Sequence, residues 1–267
     1  MSSNTSGVSI VIPYYKGQKY INDTISSIEK SAKKSNLKYE IIIVNDNPKE
    51  KVNYLQKNNV EVINNPVNRG VSFSRNIGRK KSKFDYLYFI DQDDYIDEFF
   101  FTEAKSYIDK HYDVIVFNYL EEQRTKTKQI YNSLFKYYFN RINSRKLLKY
   151  GNLFKSPGQV IFRKDSSIPF METETMGADD FYLFLDFFLR KSELKITYIH
   201  EPLFIYRKHL DNYTKVANFK ESSLECFQQY KKIRPEIAQY EYLLIDRYYN
   251  SKFLKVCNRM RTFIFSF

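Results

Sequence analysis

Four short apolar runs in the first ninety or so residues each end at a polar or proline-bearing turn, and this repetition constrains the fold more than any other feature. The runs are Val8-Ser9-Ile10-Val11-Ile12-Pro13, Glu40-Ile41-Ile42-Ile43-Val44, Val60-Glu61-Val62-Ile63 and Tyr86-Leu87-Tyr88-Phe89-Ile90. Runs this short, rich in β-branched and aromatic residues, read as buried strands, and Pro13 is expected to close the first. After Gly17, Ile21, Ile25, Ile28 and Ala32 recur at the spacing of one helical face. Strand, helix, strand implies parallel neighbours in one sheet. A helix-like stretch is expected before the third run too, and Asn64-Asn65-Pro66 then breaks the chain. The fold class is α/β: a mixed, mostly parallel sheet flanked by helices.

The fourth run leads directly into Asp91-Gln92-Asp93-Asp94. The carboxyl ends of parallel strands are where open α/β sheets bind ligands. Three carboxylates within four positions raise one another's pKa unless a cation sits among them. Their hard oxygens suit Mg2+ or Mn2+, and Mg2+ is commonly shared with substrate phosphates. A solvated acidic turn would have the same composition, because Asp is common in turns.

Upstream, Asn68-Arg69-Gly70-Val71-Ser72-Phe73-Ser74-Arg75-Asn76-Ile77-Gly78 leads into a helix with Ser72 as the expected N-cap. Arg69 and Arg75 near a helix N-terminus attract anions; the alternative is that they pair with local acids. Downstream, Phe99, Phe100, Ala104 and Ile108 suggest a helix, and Val114–Phe117, Gly158–Arg163, Ile196–Ile199 and Leu203–Tyr206 suggest strands. Glu121 to Tyr150 shows weak periodicity, consistent with a lid or an acceptor-facing insertion. Asp179 and Asp180 precede the apolar face Phe181, Phe184, Leu185 and Phe188. Acids there serve either the helix dipole or chemistry. Two units follow: a catalytic domain over 1–215, with a nucleotide-binding half to about 95 and an acceptor half over 96–215, and a helical extension over 216–267.

Composition excludes more than it assigns. The 267 residues, 43% hydrophobic, supply a sizeable core. Cys226 and Cys257 match no metal spacing and read as free thiols in a reducing compartment. The short polar N-terminus has no secretory pattern, and no run approaches the length of a membrane span, so a cytoplasmic location is expected. A formal charge of +12 attracts phosphate-rich partners, while the lack of any recognition motif argues against nucleic acid. The closing Arg259-Met260-Arg261-Thr262-Phe263-Ile264-Phe265-Ser266-Phe267 interleaves basic and large apolar residues. Such a tail either docks on the inner face of an anionic membrane or packs on its own domain.

Taken in order, these motifs resemble the inverting family 2 glycosyltransferases with a GT-A fold. Val8 to Tyr15 is similar to the family's opening strand with its Pro and aromatic, here Pro13 and Tyr15. Asn45-Asp46-Asn47-Pro48 is similar to its Asp-Asp-Gly-Ser turn, without the first acid and the glycine. Asn68-Arg69-Gly70 and Ser74-Arg75-Asn76-Ile77-Gly78 match its Asn-x-Gly and Ala-Arg-Asn-x-Gly elements, and Asp91-Gln92-Asp93-Asp94 its Asp-x-Asp-Asp. Asp179-Asp180 resembles its Glu-Asp pair, and Pro202-Leu203-Phe204-Ile205-Tyr206-Arg207 its Pro-Leu-x-x-Tyr-Arg element.

The resemblance implies a nucleotide-sugar donor, most often a UDP-α-sugar, held by Pro13, Tyr15, Asp46, Arg69, Arg75, Asp91 and Gln92. Asp46 would meet the base, Asp91 the ribose and Asp93 the metal, with His209 as a further metal or diphosphate contact. Asp94 and Asp179 would support the cluster. The implied acceptor is a glycan or lipid-linked oligosaccharide, activated by Asp180 as general base. Rival readings are a metal-dependent phosphatase with Asp91 as nucleophile, or a binding module for membrane or nucleic acid.

Overall fold

Strand β1 (Val8–Tyr14) is buried along its whole length, because it lies in the middle of a sheet covered on both faces and every side chain it projects meets a helix layer. The computed structural model describes residues 7–123, 139–175, 177–209 and 218–250. Within them lie β2 (Tyr39–Asn45), β3 (Val60–Asn64), β4 (Tyr86–Phe89), β5 (Tyr95–Ile96), β6 (Val114–Gln123), β7 (Val160–Arg163) and β8 (Ile196–Lys208). They form one sheet in the order β3-β2-β1-β4-β7-β6-β8-β5. The first four pair in parallel, Val8 opposite Tyr39 and Tyr86. β7 is antiparallel to both β4 and β6, so parallel order gives way just beyond the acid-bearing strand.

The two-residue alternation of side chains divides the core. Ile10, Ile12, Ile41, Ile43, Tyr88 and Phe117 face α1 (Ile21–Ser35) and α3 (Phe100–Asp109). Val11, Leu87, Phe89, Val116 and Phe162 face the other layer. There α2 (Val71–Lys81) approaches so closely that a Cβ on Gly78 would lie 2.2 Å from Val11 Cγ1. That layer also holds α4 (Ser144–Tyr150), α5 (Asp179–Leu189), α6 (Phe219–Ile233) and α7 (Glu241–Ile245). Cys226, Phe227, Tyr230 and Leu244 share its core with Phe181, Phe184 and Leu185, so the extension beyond 216 packs on α5.

Several local expectations are corrected. Pro13 lies inside β1 and the strand continues to Tyr14; β4 pairs with β1 only as far as Val11, so nothing there requires an N–H from Pro13. The stretch before β3 is a single 3-10 turn, Asn53–Leu55, in place of a helix. Helix α2 begins at Val71 after Gly70, whose φ is 88°, and Ser72 falls in its first turn instead of capping it. Phe99 precedes α3 and is exposed. Ile196–Ile199 and Leu203–Tyr206 are one strand, β8, interrupted by an irregularity opposite Phe117 and Tyr119. Residues 124–138 of the expected lid, Cys257 and the tail from 251 lie outside the described residues.

Candidate active site

The carboxyl ends of β1, β2 and β4 meet in a cluster of polar side chains, almost all engaged. Asp46, at the end of β2, is buried. It accepts from Asn65 Nδ2 at 2.9 Å, Arg69 N at 3.0 Å and Gly70 N at 2.7 Å. It thereby organises the turn into α2. The Arg69 guanidinium stacks 3.5 Å from the centre of the Phe73 ring.

Arg75, one turn into α2, is the hinge of the site. Its Nη2 donates to Asp91 Oδ1 at 2.7 Å and its Nη1 to Asp179 Oδ2 at 2.6 Å, with only 6% of the side chain exposed. Burial alone would weaken its hold on the proton, but Asp91, Asp179 and Asp180 outweigh it and keep the guanidinium charged. Of the two sequence readings of Arg75, the geometry shows pairing with acids. One of those acids is on another helix, 104 residues away.

The acid turn is pinned from three directions. Gln92 Oε1 accepts from Tyr15 N at 2.8 Å, and its Nε2 donates to Tyr15 O at 2.9 Å. A Cβ on Gly17 would fall 2.1 Å from Gln92 Oε1, so only glycine admits this clamp. Gln92 thus ties the loop after β1 to the acids, and its amide is committed to backbone. Thr24 Oγ1 of α1 lies 2.8 and 2.7 Å from the carbonyl oxygens of Gln92 and Asp94, so its single proton is shared between them. Arg207 N donates to Asp94 Oδ1 at 2.9 Å, while Asp94 Oδ2 is buried without a partner. Burial, Asp93 and Asp91 push the Asp94 carboxyl well above the ordinary value, which leaves that orphan oxygen as the natural place for a proton.

Asp93 and His209 meet at 2.5 Å, Oδ2 to Nε2. Burial and Asp91 raise the Asp93 pKa, and His209 opposes them. The His209 ring is stacked on Tyr20 at 4.8 Å. Among the described residues no three His, Cys, Asp or Glu side chains form a metal-binding group.

Asp180 occupies the first turn of α5 beside Asp179. Burial and then Asp179 push its carboxyl up to about 8, against the pull of Arg75. Asn152 Nδ2 donates to its Oδ1 at 3.3 Å. Asp91, Arg75 and Asp179 therefore form one chain of ion pairs from the end of β4 to the start of α5, with the Asp180 carboxyl beside it. Sequence reasoning missed Thr24, Asn65 and Asn152, whose residue types and positions carry no local signal of this role. It also missed the Tyr20 stack.

Residues 9–168 match Glycosyl transferase family 2. A Haemophilus influenzae protein described as an uncharacterized glycosyltransferase is 26% identical over 212 residues, 73% of this chain and 76% of that protein. The Staphylococcus aureus poly(ribitol-phosphate) beta-N-acetylglucosaminyltransferase TarS is 27% identical over 110 residues, which span 39% of this chain but only 19% of TarS. A crystal structure of S. aureus TarS residues 1–349 in complex with UDP-GlcNAc shares the fold, with a TM-score of 0.66 at 20% identity, covering 97% of this chain and 73% of that one. The eight-stranded mixed sheet with its flanking helices is thus GT-A-like. With acids at the strand ends and a match that runs from β1 through β7, the chain belongs to Glycosyl transferase family 2 and is a glycosyltransferase.

Proposed function

We propose that this glycosyltransferase moves the sugar of a UDP-α-sugar to a hydroxyl of a glycan or lipid-linked oligosaccharide, inverting the anomeric centre to a β-linkage. The observation that carries the reading is the continuous link from the acid turn through Arg75 to the helix start bearing Asp180. It fixes a carboxyl across from the acids that would meet the donor. Asp180 takes the acceptor proton as the acceptor oxygen bonds the anomeric carbon, and the bond to the UDP oxygen breaks on the opposite face. Pro13, Tyr15, Asp46, Arg69, Asp91 and Gln92 shape the donor side, Tyr15 with its ring exposed. Arg75 acts from beneath, holding Asp91 in place.

Asp93 and His209, a carboxylate and an imidazole, are ligand types that a divalent cation of the Mn2+ or Mg2+ kind accepts, and the hydrogen bond between them would open to admit it. Bound there, such an ion would neutralise charge gathering on the departing diphosphate. UDP-GlcNAc, bound in the TarS structure, is the first donor to try. The name of TarS and the charge of +12 both favour an acceptor carrying phosphates. The family match leaves the phosphatase and the non-catalytic binding readings without support. The working location is the cytoplasm, at the inner face of the membrane.

The test is UDP release from a panel of UDP-sugars with and without Mn2+, beside UDP affinity by calorimetry. Asp93→Ala is expected to lose metal-dependent UDP binding and keep the fold, because removing one acid from a repelling cluster relieves repulsion. Equal UDP and Mn2+ affinity in that variant would refute the metal assignment.

A further inference from the structure

The family match ends at residue 168, yet the segment that leads into Asp179 and Asp180 is held by a helix lying wholly beyond it. Helix α6 presents Ser222, Glu225 and Gln229, three and four residues apart and therefore on one face. Ser222 Oγ accepts from Ala178 N at 2.9 Å in a buried bond, at the residue immediately before α5. Ala178 has no side chain with which to cap that helix. The Glu225 carboxylate accepts from Thr175 N at 3.2 Å and from Thr175 Oγ1 at 2.5 Å. Gln229 Nε2 donates to Glu172 O at 2.6 Å. The opposite side of the segment is gripped by Asn76 of α2, which donates to Phe170 O and Glu172 Oε1 and accepts from Phe170 N.

Residues 172–175 and 177–178 belong to no helix or strand, and the amides of Thr175 and Ala178 find side-chain acceptors in place of ladder partners. Deeper along α5 the same helix is bonded again. Tyr182 OH donates to Ser223 O at 2.6 Å, and buried Asp186 accepts from Tyr230 OH and Arg234 Nε.

We infer that α6 positions the general base, with Ser222 and Glu225 setting where the Asp180 carboxylate stands relative to the donor acids. The inference rests on the reading of Asp180 as base. Neither residue bonds Asp180 itself; each acts through the backbone that carries it, so both are positioning residues. A misplacement of about 1 Å is enough to cost about 100-fold in rate. The donor side is built from β1, β2 and the acid turn, none of which bonds to Ser222, Glu225 or Gln229; the clamp reaches it only at second hand, through Asp179, Arg75 and Asp91, so UDP binding is expected to respond far less than transfer.

The experiment uses the full chain with UDP-GlcNAc and Mn2+, following transfer, UDP affinity, and the pH dependence of kcat/KM. Glu225→Ala is expected to lower kcat by about 10- to 100-fold with UDP affinity within about two-fold. The rising limb of the pH profile should move to lower pH, because a loosened segment admits water to a carboxyl now held up by burial and Asp179, with Arg75 and Asp91 as the other charges near it. Glu225→Gln, which keeps an acceptor for Thr175 N, should restore most of the rate. Ser222→Ala gives the same test should Glu225→Ala fail to fold, and hydrogen exchange reports whether the clamp has opened, at the Thr175 amide for Glu225→Ala and at the Ala178 amide for Ser222→Ala. Unchanged kcat and an unmoved limb in a folded variant with that amide deprotected overturn the inference, as does loss of UDP affinity in step with kcat. Full transfer by Asp180→Asn overturns the underlying base assignment instead, whatever Glu225→Ala does.

Discussion

Asp180 carries a conflict between stability and chemistry that substitution can separate. Its folded pKa of about 8 lies above the value of roughly 4 that the unfolded chain gives a carboxyl. The folded state therefore holds a proton that the unfolded state has released, and stability falls as pH rises from about 4 to about 8. Asp180→Asn removes that penalty and keeps an oxygen for Asn152 Nδ2. Thermal unfolding at pH 7 should show a higher Tm, by about 2 to 4 °C for each kcal/mol recovered. Transfer in the same preparation should fall by about 10² to 10⁴, with UDP affinity intact; a silent substitution would return Asp180 to a helix-capping role. In the wild-type enzyme kcat/KM should climb with pH, reach half its maximum near 8 and level off above about 9, since the base works only after losing its proton. A profile flat between pH 6 and 9 would contradict this.

At the scale of elements, α2 joins the two halves of the site. Arg75 reaches the acid turn and α5, Asn76 the Phe170–Glu172 backbone, and Arg79 donates to Lys164 O and Ser167 O. The helix itself was legible in the sequence, but not what its arginine meets. Asp179 is remote in the chain, and only the packing of α2 and α5 against the same sheet face brings the two together. Arg75→Met should cost about 3 to 5 kcal/mol, because it leaves the buried Asp179 carboxylate uncompensated, and chemical denaturation measures it. Arg75→Lys should fold better yet transfer poorly, since a single ammonium cannot bridge Asp91 and Asp179 as the planar fork does. Transfer at the wild-type rate by Arg75→Lys would show that bridging is dispensable.

For the whole molecule, the formal charge of +12 and the basic, aromatic tail set the expected encounter with anionic surfaces. No helix among the described residues is long and apolar enough to cross a membrane. The chain is expected to co-sediment with anionic liposomes, less so at high salt, and a version ending at Ser251 should lose that binding. Equal pelleting of the shortened chain would overturn the role of the tail and move membrane binding to the rest of the molecule.

Local pattern was enough to determine the strands β1, β2, β3 and β4, helices α1 and α5, the acid turn and the acid pair, because each is specified by hydrophobic periodicity or by spacing within a few residues. The merging of two expected strands into β8, the single turn before β3 and the start of α2 at Val71 were not legible, since pairing partners and backbone geometry override local propensity at such points. The partners of the site residues lay further still from view. Gln92 closing on Tyr15, His209 on Asp93, Arg75 between two acids and α6 on the segment before Asp180 all join residues remote in sequence. Such contacts depend on how the layers stack, and burial among those layers, not residue type, is what raises the Asp180 carboxyl into the range where it can serve as a base.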